Sequence, residues 1–128
     1  MTDLAERVDT IERGYEYLLA YAAQGRRDDA GSEVRATLTA MYTALDGLST
    51  ATKEAFEKVA LGATEATGKD AAAFIEAVAE DARKARSAVA LVLTRPAISS
   101  LLVDNLNASI HLRALLTDVF LVEQALKS

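Results

Sequence analysis

The chain has 128 residues, of which 51% are hydrophobic and 26% charged, with six glycines, one proline and no cysteine. This is the size of a single domain, and so little proline and glycine favours helices. Nineteen acidic residues against fourteen basic ones give a net charge of -5, which argues against a nucleic-acid partner because phosphates bind to basic surfaces. The lack of cysteine excludes disulfides, thiolate metal sites and cysteine nucleophiles.

The chain begins with MTDLAERVDTIERG, which is charged and periodic and therefore not expected to be a secretory signal. No apolar run approaches the roughly 18 residues of a membrane-spanning helix. We therefore expect a cytoplasmic protein without a transmembrane segment.

The first predicted helix covers residues 3–24. Asp3, followed three positions later by Glu6, can cap its start, and Gly25 ends it. Apolar residues recur at alternating spacings of four and three, which places them on one face of the helix. The face consists of Leu4, Val8, Ile11, Tyr15, Leu18 and Ala22.

The second predicted helix covers residues 32–66 and has the same periodicity. Gly47 and the Ser and Thr residues after it weaken the helical pattern, so we expect a bend or break near residues 47–50. The regular apolar positions before that point are Val34, Leu38, Met41, Leu45 and Leu48.

The third and fourth predicted helices cover residues 70–94 and 97–126. Gly68 can close the second helix and Asp70 can cap the third. Pro96 stops the third helix and suits the first turn of the last. Short connections make neighbouring helices antiparallel, so the sequence predicts an all-α, up-and-down four-helix bundle in one domain. The core face of the third helix consists of Phe74, Ile75, Val78, Ala82, Ala85 and Val89.

The last predicted helix is apolar on almost every side. In a four-helix monomer each helix keeps one face on solvent, so this helix needs another surface to cover it. We therefore expect a homodimer or a complex with another protein, because a two-fold interface is self-complementary. The expected interface residues are Leu102, Leu106, Ile110, Leu116, Phe120 and Leu121.

One polar stripe remains on that helix, and it contains the single histidine of the chain, His111, with Asp104, Asn107 and Asp118. A zinc or di-iron site needs more ligands than one histidine supplies. A general base lacks a carboxylate within reach, since Asp104 and Asp118 are two helical turns away. A phosphorelay histidine is a further alternative, but we expect no metal, no cofactor and no catalytic residue, and His111 keeps one edge of the helix polar.

A ligand or cofactor carrier is the alternative function, with a pocket inside the bundle near His111 and Met41, a pair that can bind haem, and near Tyr15 and Tyr42. A second alternative is a coat for a hydrophobic or lipid surface, suggested by the alanine-rich residues 51–74. The favoured function is a small non-enzymatic protein that acts through protein–protein interaction, as an adaptor, regulator or assembly factor.

Overall fold

A computed structural model describes residues 3–59 and 65–127 of the chain, and in these ranges it contains five α-helices and no β-strand. The helices are α1 (Asp3–Ala22), α2 (Val34–Val59), α3 (Glu65–Leu93), α4 (Ser100–Ile110) and α5 (Leu112–Lys127). The all-α class is confirmed. The predicted number of helices is wrong, because residues 97–126 form two helices rather than one.

Contacts between distant residues give the directions of the first three helices. Arg7, early in α1, donates hydrogen bonds to the carbonyl oxygens of Thr43 and Ala44 at 3.1 and 3.3 Å. Tyr17, late in α1, accepts one from the backbone N–H of Glu33, just before α2, at 3.1 Å. The two helices are therefore antiparallel. The pairs Arg35 with Leu93 and Lys53 with Glu76 show the same for α2 and α3.

The core confirms the periodicity of the first three helices, with one adjustment. All five apolar positions predicted for α2 are buried. In α1 the structure buries Gly14 and Tyr21, whereas Tyr15 and Ala22 are half-buried. A straight helix has 3.6 residues per turn, so a strict seven-residue repeat drifts away from its buried face.

The predicted break near Gly47 is absent, since α2 runs without interruption from Val34 to Val59, and the alternative of a bend there stays a prediction. Gly47 has a different role, because a Cβ atom there would collide with the guanidinium of Arg7. That guanidinium lies across α2 and also pairs with Asp3 at 3.0 Å. Glycine lets a side chain of α1 lie against the α2 backbone, and Leu48 and Ala51 continue the buried face beyond it.

The predicted boundary between the second and third helices is also wrong. Gly68 and Asp70 both lie inside α3, which begins at Glu65. The predicted end of the second helix at residue 66 and the middle of the alanine-rich segment fall on residues 60–64, outside the described residues. The last predicted helix starts later than expected, at Ser100, and the hydroxyl of Ser99 caps it by accepting the N–H of Leu102 at 3.0 Å.

A polar cluster joins the α1–α2 and α3–α4 loops at one end of the molecule. The Tyr21 hydroxyl donates to the carbonyl oxygen of Ile98 at 2.6 Å. The Asp29 carboxylate accepts the N–H of Ile98 at 2.9 Å and the Nε–H of Arg35 at 3.2 Å. The Ser100 hydroxyl donates to the Tyr21 carbonyl at 2.7 Å. These contacts fix where α4 starts, and thus where the residues of the polar stripe lie.

Candidate functional site

His111 forms the joint between α4 and α5. Its backbone has φ 47° and ψ 45°, the left-handed conformation, and His111 is the only described residue other than glycine with a positive φ. Its imidazole is exposed, and its carbonyl oxygen accepts the N–H of Leu115 at 3.1 Å, in the first turn of α5. The sequence pattern predicts His111 as an ordinary helical residue, whereas in the structure it ends α4 and precedes α5.

The break has a packing reason. In a continuous helix the buried residues of α4, such as Leu106 and Ile110, would lie roughly opposite those of α5, such as Leu112 and Val119. The left-handed backbone of His111 turns α5 relative to α4, so that the apolar faces of both helices pack against the same core. The all-round apolar pattern thus belongs to two one-sided helices.

The joint lies beside a solvent-accessible groove of about 510 Å³. The groove brings together three members of the predicted polar stripe, Asn107, His111 and Asp118, with Tyr15 of α1. Asp104, the fourth member, is exposed and does not line the groove. Ala108, Leu112, Arg113, Ala114 and Thr117 complete the lining.

Two side chains of this groove are in unfavourable surroundings. Both polar atoms of the Asn107 amide are buried without a hydrogen-bonding partner, an arrangement that destabilises the folded state. Burial raises the pKa of the Asp118 carboxyl above its ordinary value of 3.8, and the negative charge of Asp81 on α3 adds to the effect. Asn107 and Asp118 therefore lower the stability that packing gives to this part of the fold.

We expect Asp118→Asn to raise the free energy of unfolding at pH 7. A carboxyl whose pKa is raised by folding binds its proton more tightly in the folded state, so its charge opposes folding at neutral pH. This penalty disappears as the pH falls through the raised pKa, and the gain should therefore shrink near pH 4. Urea unfolding of both proteins at the two pH values measures it. Asp81→Asn, a change at an exposed carboxylate, should give a smaller gain, and a loss of stability in Asp118→Asn at pH 7 would contradict the assignment.

The structure does not bring together the four residues considered for a cofactor. His111 and Tyr15 share the groove, but Met41 is fully buried in the core and packs where a Cβ atom of Gly14 would otherwise lie. Tyr42 is 37% exposed on α2 and lines neither this groove nor the apolar cleft described below. Within residues 3–59 and 65–127, no cluster of three or more His, Asp or Glu side chains could hold a metal ion.

The six residues expected to form an interface divide into two groups. Leu106, Ile110 and Leu116 are buried in the core of the chain itself, and Leu102 is half-buried against it. Phe120 is 39% exposed and Leu121 is 59% exposed. The expectation that these six residues form one continuous exposed surface is wrong. The break at His111 lets α4 and α5 each turn a buried face to the core, and that places half of the six residues inside.

An apolar cleft lies between α3 and α5, with Phe56 of α2 contributing to it. Its volume is about 130 Å³, and no polar atom lines it. We call it the α3–α5 cleft. The sequence predicts Phe74 in the core, because spacing alone cannot distinguish a half-buried aromatic residue from a fully buried one, and in the structure Phe74 and Phe56 are both half-buried. The other lining residues are Ala71, Ile75, Leu121, Val122 and Ala125.

No protein-family model, curated protein or solved structure matches this chain. None of the helices described here has both the length and the apolar composition needed to cross a membrane.

Proposed function

We propose that the protein is a non-enzymatic interaction module of the cytoplasm that binds an apolar side chain of another protein chain in the α3–α5 cleft. In this proposal the molecule is a variant of the antiparallel four-helix bundle, with α4 and α5 sharing the fourth position. The partner is a protein surface or a second copy of the chain.

The single observation that supports the proposal is the chemistry of the cleft. Its lining is entirely apolar, and Leu121 at its edge keeps 59% of its surface in water. Each aliphatic side chain left in water forgoes about 1.5–3 kcal/mol of burial free energy. A cleft with an exposed leucine beside it resembles the centre of a protein interface, where apolar anchors fill pockets.

We expect Leu121→Glu to abolish association through the cleft and to leave the fold intact. A carboxylate placed at the edge of an apolar contact would have to lose its hydration without a partner, which is strongly unfavourable. Sedimentation equilibrium of the purified protein at micromolar to millimolar concentration measures self-association. The circular dichroism spectrum shows whether the variant still folds.

The matched control is Leu91→Glu. Leu91 is 68% exposed on α3 and does not line the cleft, so the same change there should have no effect on association. Equal weakening by both variants would contradict the cleft as the binding surface. If the wild-type protein is monomeric, the same two variants are compared with it in binding assays. The candidate partners are the proteins encoded by neighbouring genes. If Leu121→Glu binds such a partner as well as the wild type does, the proposal is wrong.

A further inference from the structure

The segment from Ser100 to Lys127 contains no glycine and no proline, so its composition permits one uninterrupted helix. The only interruption is the backbone of His111, in the left-handed conformation. Residues with a Cβ atom are disfavoured there by crowding against the carbonyl oxygen, and glycine is not. The bent form therefore carries local strain that a straight helix would release.

The bent conformation is maintained by packing, because it places Leu112, Leu115 and Val119 of α5 in the core. Two contributions to the free energy thus oppose each other at His111. Local backbone strain favours a straight helix, and burial of α5 in the core favours the bend.

A straight α4–α5 helix cannot fill the core of its own chain. The buried faces of the two halves would then lie on roughly opposite sides of one helix. When α4 stays in place, α5 has to point its leucines away from its own core. A second copy of the chain that has also released its α5 offers an identical vacant site, with the same partner surfaces on α1, α2 and α3.

We propose that His111 is a hinge through which two copies of this chain exchange α5. In the exchanged dimer each α4–α5 segment is one straight helix, and each α5 packs into the core of the other copy. Every core contact of the monomer is kept, while the left-handed backbone is lost twice. The exchange does not require the α3–α5 cleft to bind anything, because the cleft re-forms between the α3 of one copy and the α5 of the other.

The test compares His111→Ala with His111→Gly. Alanine is disfavoured in the left-handed conformation and favoured in a helix, and glycine has the reverse preferences, each by about fivefold. The two variants should then differ about 25-fold at each hinge. Since a dimer has two hinges, the dissociation constants should differ about 600-fold, with His111→Ala the tighter dimer. Sedimentation equilibrium after refolding at high concentration measures both constants.

A crosslink distinguishes exchange from side-by-side association. The chain has no cysteine, so Ala71→Cys on α3 and Ala125→Cys on α5, both lining the cleft, give a unique thiol pair. A short bis-maleimide should join two chains in the exchanged dimer, visible on a denaturing gel. In a side-by-side dimer the crosslink stays within one chain.

Two results would overturn the exchange. One is a His111→Ala protein that is folded and no more dimeric than His111→Gly. The other is a dimer whose crosslinks remain within single chains. If His111→Ala does not fold, the wild type replaces it in the comparison and must dimerise more than His111→Gly. Leu121→Glu should not weaken the exchanged dimer, which separates this result from that of the cleft.

Discussion

Leu18→Asp should lower the free energy of unfolding by several kcal/mol and leave most of the protein unfolded or close to unfolding. Leu18 is completely buried in α1, and an unpaired carboxylate at such a position loses its hydration without gaining a partner. A domain of this size is stable by only about 5–15 kcal/mol in total. Circular dichroism during urea titration measures the loss.

The neighbouring residue gives a matched control. Leu19 is 47% exposed, so Leu19→Asp places the same charge on the same helix without burying it. This variant should change the free energy of unfolding by less than about 0.5 kcal/mol, as surface changes usually do. Similar losses in both variants would show that the packed face of α1 is wrongly assigned.

Tyr21→Phe should lower the free energy of unfolding by about 1–3 kcal/mol, the usual effect of leaving a buried hydrogen-bonding group without its partner. The Tyr21 hydroxyl is buried and donates to the carbonyl oxygen of Ile98 at 2.6 Å. Burial raises the pKa of this hydroxyl, so it keeps its proton. Phenylalanine keeps the ring and its stacking on Tyr17, so the loss measures the hydrogen bonding of the hydroxyl, which also lies 3.1 Å from the carbonyl oxygen of Asp28.

The control for this change is Tyr42→Phe. Tyr42 is 37% exposed and its hydroxyl has no hydrogen bond within the described part of the chain. Its removal should leave the urea midpoint unchanged within error. A Tyr21→Phe protein as stable as the wild type would mean that water replaces the contact between the two loops without loss.

The buried faces of α1, α2 and α3 could be predicted from the sequence because each depends only on the spacing of apolar residues within one helix. Leu38, Met41 and Leu45 are buried as their period indicates. The break at His111 could not be predicted in this way. A break in a helix is predicted from glycine or proline, and a histidine in the left-handed conformation gives no such signal in the sequence. The apolar pattern did contain the information, since a helix apolar on all sides also describes two helices out of phase.

The expected break at Gly47 is wrong for a different reason. Glycine weakens a helix by about 1 kcal/mol, and the expected break rests on that local preference alone. In the structure the glycine leaves room for the guanidinium of Arg7, forty positions earlier, which lies across it. The groove could not be predicted for a similar reason. Tyr15 of α1 comes close to Asn107 and His111 only once α2 and α3, which separate them in the sequence, have folded.

The polar cluster at the loop end has a consequence for the rates of folding and unfolding. Its hydrogen bonds join residues that are 77 and 79 positions apart, Tyr21 with Ile98 and Tyr21 with Ser100. Contacts of such long sequence separation form late, after the chain between them has been ordered. Interactions absent from the transition state slow unfolding and leave the folding rate almost unchanged. We therefore expect the cluster to slow unfolding more than it speeds folding, and so to lengthen the lifetime of the folded molecule.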